Sequence, residues 1–122
     1  MDIELIVGPV SEPTPEWLRF VGKLYVVDRM ESEGDSFIRI SYSGNDVVQA
    51  KGTVGDEILK FLTGLKSFEM EVKHIGGELR LGIYYDVPQT VVFPLYLSID
   101  CVRALERFGV ALDSTGYPCG AD

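Results

Sequence analysis

The sequence predicts an α+β fold: an antiparallel sheet with two helices packed on one face, in the order strands, helix, strands, helix, short strand. Three observations carry this expectation. Apolar residues recur at every second position over Ser36 to Ser43, putting Ile38, Ile40 and Tyr42 on one side. Ile58, Phe61, Leu62 and Leu65 fall at i, i+3, i+4 and i+7, the single apolar stripe of a helix that lies on a sheet. A second helix is framed by local end signals, with Ser98 at its start and Gly109 at its end.

In chain order, Ile3 to Val7 is apolar enough for a first strand. Gly8 to Glu16 holds Pro9, Pro13 and Pro15, which deny it a ladder or a helix interior. Trp17 to Val21 reads as one helical turn or an early strand. Lys23 to Asp28 reads as a strand, Met30 to Asp35 as a polar turn around Gly34, and Ser36 to Ser43 as the next strand. Gly44-Asn45-Asp46 turns the chain into a short strand, Val47 to Lys51. Thr53 is placed to cap the first helix, whose early Asp56 and Glu57 suit its positive dipole end and whose close is marked by Gly64.

Phe68, Met70 and Val72 then alternate with charged residues, as do Leu79, Leu81 and Ile83 with Glu78, Arg80 and Gly82. With Ile75-Gly76-Gly77 between them, the pattern predicts a hairpin. Asp86-Val87-Pro88 interrupts, and Gln89 to Phe93 resumes as a strand. The second helix is expected to bury Cys101, Val102, Leu105 and Phe108, and Val110 to Leu112 to form a short closing strand. From about residue 114 the chain reads as a flexible tail.

Composition narrows the function. The 122 residues, 46% hydrophobic and 25% charged, fit one folded domain over the whole chain. Nineteen Asp and Glu against eleven Lys and Arg leave a net charge of −8, with no cluster of basic residues to meet a phosphate backbone. Nucleic acid is therefore not an expected partner, and neither is an anionic membrane; a basic protein is. No apolar run approaches the roughly 20 residues that span a bilayer. Met1-Asp2-Ile3-Glu4 is acidic where a signal peptide carries Lys or Arg, so the expected location is the cytoplasm.

Chemical motifs are sparse. His74 is the single histidine, read as a solvated residue beside the Gly76-Gly77 hairpin, with neither a triad nor a zinc pattern around it. Cys101 reads as a small buried hydrophobe and Cys119 as part of the tail; their separation is not that of a CxxC pair. Gly52 to Gly55 precedes a helix but lacks a phosphate-binding lysine. No cofactor or metal is expected, and no two carboxylates are spaced to nominate an active site. The densest acidic segment, Asp28, Glu31, Glu33 and Asp35, lacks the spacing of a calcium loop. Among the aromatics, Tyr84-Tyr85 ends a half-exposed strand, so one ring must face outward.

The second half resembles a known family. Asp56-Glu57-Ile58-Leu59, Leu97-Ser98-Ile99-Asp100, Arg103 to Gly109 and the closing Val110-Ala111-Leu112-Asp113 with Tyr117 look like domain-of-unknown-function family 4279. The resemblance covers roughly residues 53 to 117. It departs from the family pattern in the proline stretch near the N-terminus and in the looser Ser114-Thr115-Gly116 before the tyrosine. It implies a fold, and small acidic proteins of this kind often serve as immunity or accessory factors.

The expected function is a non-enzymatic, immunity- or inhibitor-like domain that binds a basic protein. Asp28, Glu31, Glu33 and Asp35 would pair with its basic groups, and Tyr85 and Trp17 would supply buried anchors. The alternative is a small-ligand or regulatory module with a pocket lined by Tyr84, Phe93 and Tyr96.

Overall fold

The computed structural model describes residues 1–11, 15–44, 52–86 and 95–119, with the side chains of residues 85, 86 and 119 outside that description. Five strands and four α-helices are present among the described residues. They run β1 (Asp2–Val7), α1 (Leu18–Val21), β2 (Val26–Ser32), β3 (Asp35–Ser43), α2 (Thr53–Gly64), a 3-10 turn (Lys66–Phe68), α3 (Glu69–Ile75), β4 (Gly77–Asp86), α4 (Ile99–Phe108) and β5 (Val110–Cys119). The fold is α+β, as the alternating and helical periods predict.

The sheet is mixed rather than antiparallel throughout, in the order β2-β3-β1-β4-β5. β1 lies at its centre, antiparallel to β3 on one side and to β4 on the other. The exception is β4 with β5, which are parallel, because α4 carries the chain back across the sheet before β5 begins. Ile3, Leu5 and Val7 on β1 and Ile38 and Ile40 on β3 have no exposed surface. Together with Leu79, Leu81 and Ile83 of β4 they make one inner face, on which α1, α2, α3 and α4 lay Leu18, Phe61, Val72 and Phe108.

Several elements differ from expectation. The segment predicted as the first arm of a hairpin is helical: α3 buries Val72, leaves Met70 exposed, and holds His74 on a helix instead of a hairpin. Phe68, Val72 and Ile75 lie at i, i+4 and i+7, so a helical stripe underlies the alternation, and Met70 alone belonged only to the strand pattern. β4 consequently pairs with β1, not with its preceding neighbour. β2 continues through Ser32 where a turn was expected. A two-residue hairpin follows, with Glu33 at φ 51° and Gly34 at φ 84°, the left-handed pair of a type I′ turn. β5 extends over ten residues, beyond the expected short strand and into the segment read as a tail.

The helix ends are partly as foreseen. Ser98 caps α4 by accepting the Cys101 N–H at 3.1 Å, and Gly109 closes it in the left-handed conformation at φ 64°. α2 is different: Gly52, at φ 89°, takes the cap position without a side-chain bond, and Thr53 is the first helical residue. In α4, Ala104 occupies the inward stripe with Cys101 and Phe108, while Val102 turns outward and is 48% exposed. The strands expected at Val47 to Lys51 and Gln89 to Phe93 fall outside the described residues. No described helix is long and apolar enough to cross a membrane.

Candidate functional site

Because the helices share one side of the sheet, strand alternation sends every second residue to a face that no described helix covers. The central strand contributes Asp2, Glu4 and the nearly buried Ile6 to that face. β4 contributes Glu78, Arg80, Gly82 and Tyr84, and their register partners on β5 are Ala111, Asp113, Thr115 and Tyr117. By the same alternation, the described strands place the carboxylates of Asp2, Glu4, Asp28, Asp35, Glu78 and Asp113 here, against the guanidiniums of Arg39 and Arg80. The face is acidic, and its charge is spread over all five strands.

At the β4–β5 end, the rings of Tyr84 and Tyr117 stack with centroids 5.3 Å apart and an interplanar angle of 24°. Both are nearly half exposed. The Tyr84 hydroxyl donates to Asp2 Oδ2 at 3.0 Å, and the Ser43 hydroxyl donates to Oδ1 of the same carboxylate at 3.2 Å. A cleft of about 210 Å³ opens beside the tyrosines, lined by Asp2, Glu4, Arg80, Asp113 and Thr115 with Gly82 between them. Arg80 Nε lies 3.2 Å from Glu78 Oε2, so its charge is locally offset.

At the opposite edge, Asp28 stands directly across from Arg39, which donates from Nε and Nη2 at 2.9 and 2.7 Å. This fork-on-carboxylate geometry holds Asp28 below the ordinary aspartate range and raises Arg39. Glu31 points to the other side of β2 and accepts the Ser36 hydroxyl at 2.8 Å. Glu33 sits in the hairpin and Asp35 opens β3. The four acidic residues read from the sequence as one patch therefore split between two sheet faces and a turn, and two of them already have partners.

The expected aromatic residues also separate. Trp17 precedes α1, half-buried, with its ring stacked on Phe68 at 5.6 Å. Rather than projecting, it walls a cavity of about 530 Å³ between the Pro9 to Ser11 segment and the Glu71, His74 side of α3. Tyr84 lines the cleft on the open sheet face, and Tyr96, whose carbonyl lies against Gly55 of α2, is not among the residues of that cleft. Phe93 and the side chain of Tyr85 lie outside the described residues. Asp2, Glu4, Asp113 and Tyr117 were not singled out as site residues from the sequence. The available signal was the Asp2-Ile3-Glu4-Leu5 alternation, which assigns both carboxylates to one exposed side.

No family model, no curated protein and no solved structure matches this chain.

Proposed function

We propose that this chain is a non-enzymatic, immunity- or inhibitor-like domain that engages a basic protein with the face of its sheet that no described helix covers. The observation that carries this reading is the stacked, half-exposed Tyr84–Tyr117 pair standing beside Asp2, Glu4 and Asp113 on that face. Aromatic rings with polar tips supply buried contact area at little entropic cost, and surrounding carboxylates steer and orient a cationic partner. The contact surface differs from the Asp28 to Asp35 segment named by the sequence, since Arg39 and Ser36 occupy two of its carboxylates.

The test compares affinity capture from the source lysate by three forms: wild type, Glu4→Lys/Asp113→Lys on the sheet face, and Glu106→Lys on exposed α4. The reading expects a stoichiometric basic protein with wild type and the α4 variant, and its loss from the face variant. A bound set that is identical for all three forms contradicts it.

A second reading, a small-ligand module, is favoured by the Trp17 cavity, whose volume lies in the usual range for such sites. Trp17 is the single tryptophan, so its emission reports ligand entry directly. Saturable quenching by a small metabolite at low concentration supports this reading; emission unchanged by every fraction of a metabolite extract counts against it.

A further inference from the structure

We infer that the cleft over Gly82 is a receptor for one arginine side chain of the partner, an inference that rests on the protein-binding reading. Gly82 lies between Asp2 of β1 and Thr115 of β5 in the register. Having no side chain, it leaves a depression in a face where its neighbours on β4, Arg80 and Tyr84, project. The Tyr117 ring bounds that depression closely: its Cε2 lies 3.4 Å from where a Cβ on residue 82 would stand. The resulting space of about 210 Å³ suits one long side chain rather than a folded segment.

The chemistry of the walls selects the occupant. Asp2, Glu4 and Asp113 line the cleft against the single guanidinium of Arg80, which is itself beside Glu78. An anion is repelled, and an apolar side chain would strip water from carboxylates without replacing its hydrogen bonds. A cation is accepted, and two features distinguish arginine from lysine. Tyr84 and Tyr117 line the cleft, and a planar, weakly hydrated guanidinium packs against aromatic rings more readily than an ammonium, a compact, strongly hydrated charge. Carboxylates also stand on opposite sides of the cleft, since Glu4 and Asp113 flank Arg80 across the β1–β4–β5 rows. A fork of five N–H donors can reach more than one of them, and a carboxylate accepts two such bonds side by side. Asp2 is held in place by Ser43 and Tyr84, so that wall is preorganised.

The test titrates the ¹⁵N-labelled chain with N-acetyl-arginine methylamide and follows amide shifts. Lysine and citrulline analogues serve as charge and shape controls. The inference expects saturable shifts clustered at Glu4, Gly82, Asp113 and Thr115, with an apparent dissociation constant of about 1 mM for a single side chain. Lysine should bind several-fold more weakly, and the uncharged citrulline should not bind saturably. Gly82→Val fills the cleft and should abolish the shifts, the remainder of its spectrum reporting whether the fold persists. Glu4→Gln, which leaves strand and cleft shape intact, should weaken binding about tenfold. Equal response to citrulline, an unaffected Glu4→Gln, or shifts centred on Trp17 and His74 would overturn the inference. Loss of arginine binding while face-dependent capture persists defeats this site alone. Arginine binding without any face-dependent partner keeps the site and defeats the protein-binding reading.

Discussion

Tyr84 and Tyr117 occupy one register position on the parallel strands β4 and β5, and their rings stack at 5.3 Å while the Tyr84 hydroxyl reaches Asp2 on β1. Three strands, drawn from opposite ends of the chain, thus meet in one contact on an open face. Removing the outer ring tests both its structural and its binding role. Tyr117→Ala should lower stability by about 1 kcal/mol, the usual worth of an exposed aromatic pair. It should also weaken capture of the partner about tenfold or more. Urea unfolding and a pull-down on the same preparation separate the two effects.

The ends of α4 give an independent check on the fold. Ser98→Ala removes the acceptor for the Cys101 N–H and should cost about 1 kcal/mol in denaturant unfolding. Gly109→Ala forces a side chain into φ 64° and sets its Cβ about 3.1 Å from Lys73 Cγ, so about 1–2 kcal/mol is expected. Equal stability of either variant and wild type contradicts the assigned helix ends.

These helix ends were readable in the sequence because a cap is local chemistry: a serine three residues before an N–H, and a glycine where the chain turns left-handed. The sheet order was not readable, because it depends on pairings between distant segments. Leu5 pairs with both Ile40 and Leu79, and nothing within either segment names the other. α3 was misread for a different reason. Phe68 and Val72 satisfy strand and helix periods equally, and tertiary packing of Val72 against the core decides between them. β5 was underestimated because Asp113 to Gly116 contains no apolar residue; its pairing comes from β4, not from its own propensity.

The Asp28–Arg39 pair predicts a pH dependence of definite sign. Hydrogen bonds from Arg39, with its charge adding to them, hold the folded carboxyl below the ordinary aspartate value. Its stabilisation is therefore full above about pH 3.9, the unfolded value, and is lost as pH falls through the lower folded value. The Asp28 side chain is 45% exposed, so water screens the pair and about 0.5 kcal/mol or less is expected. Asp28→Asn should be less stable than wild type by this amount near neutral pH, with the gap closing below about pH 4. A gap that does not change between pH 7 and about pH 2 counts against the pairing.

Cys101 should be chemically silent in the native state. It is fully buried in α4, and burial, with Asp56 adding to it, pushes its thiol above the ordinary value. Alkylation of the Cys101 peptide near pH 8, followed by mass spectrometry, should be about a thousandfold slower in buffer than in urea. Comparable rates would mean that α4 does not lie on the sheet.

The site was only partly legible for the same reason as the sheet. The strand pattern requires one of Tyr84 and Tyr85 to face outward, and the expectation named Tyr85 as the anchor, whereas it is Tyr84 that stands on the open face. Its companions Asp2, Glu4 and Asp113 sit about 80 residues away or on a neighbouring strand, and the register alone assembles them. The Asp28 to Asp35 segment looked like one patch because sequence proximity was taken for spatial proximity. In a hairpin, neighbours alternate sides, which turns Glu31 away from Asp28.

The most direct test of the protein-binding reading is carboxylate footprinting of the captured complex. Exposed Asp and Glu are modified with a carbodiimide and an amine, then quantified peptide by peptide with and without the partner. The account predicts that binding protects Asp2, Glu4 and Asp113 together, while Glu71 on α3 and Glu106 on α4 react as in the free chain. Protection of Glu71 and Glu106 with Asp113 unchanged would place the partner on the helices and contradict it.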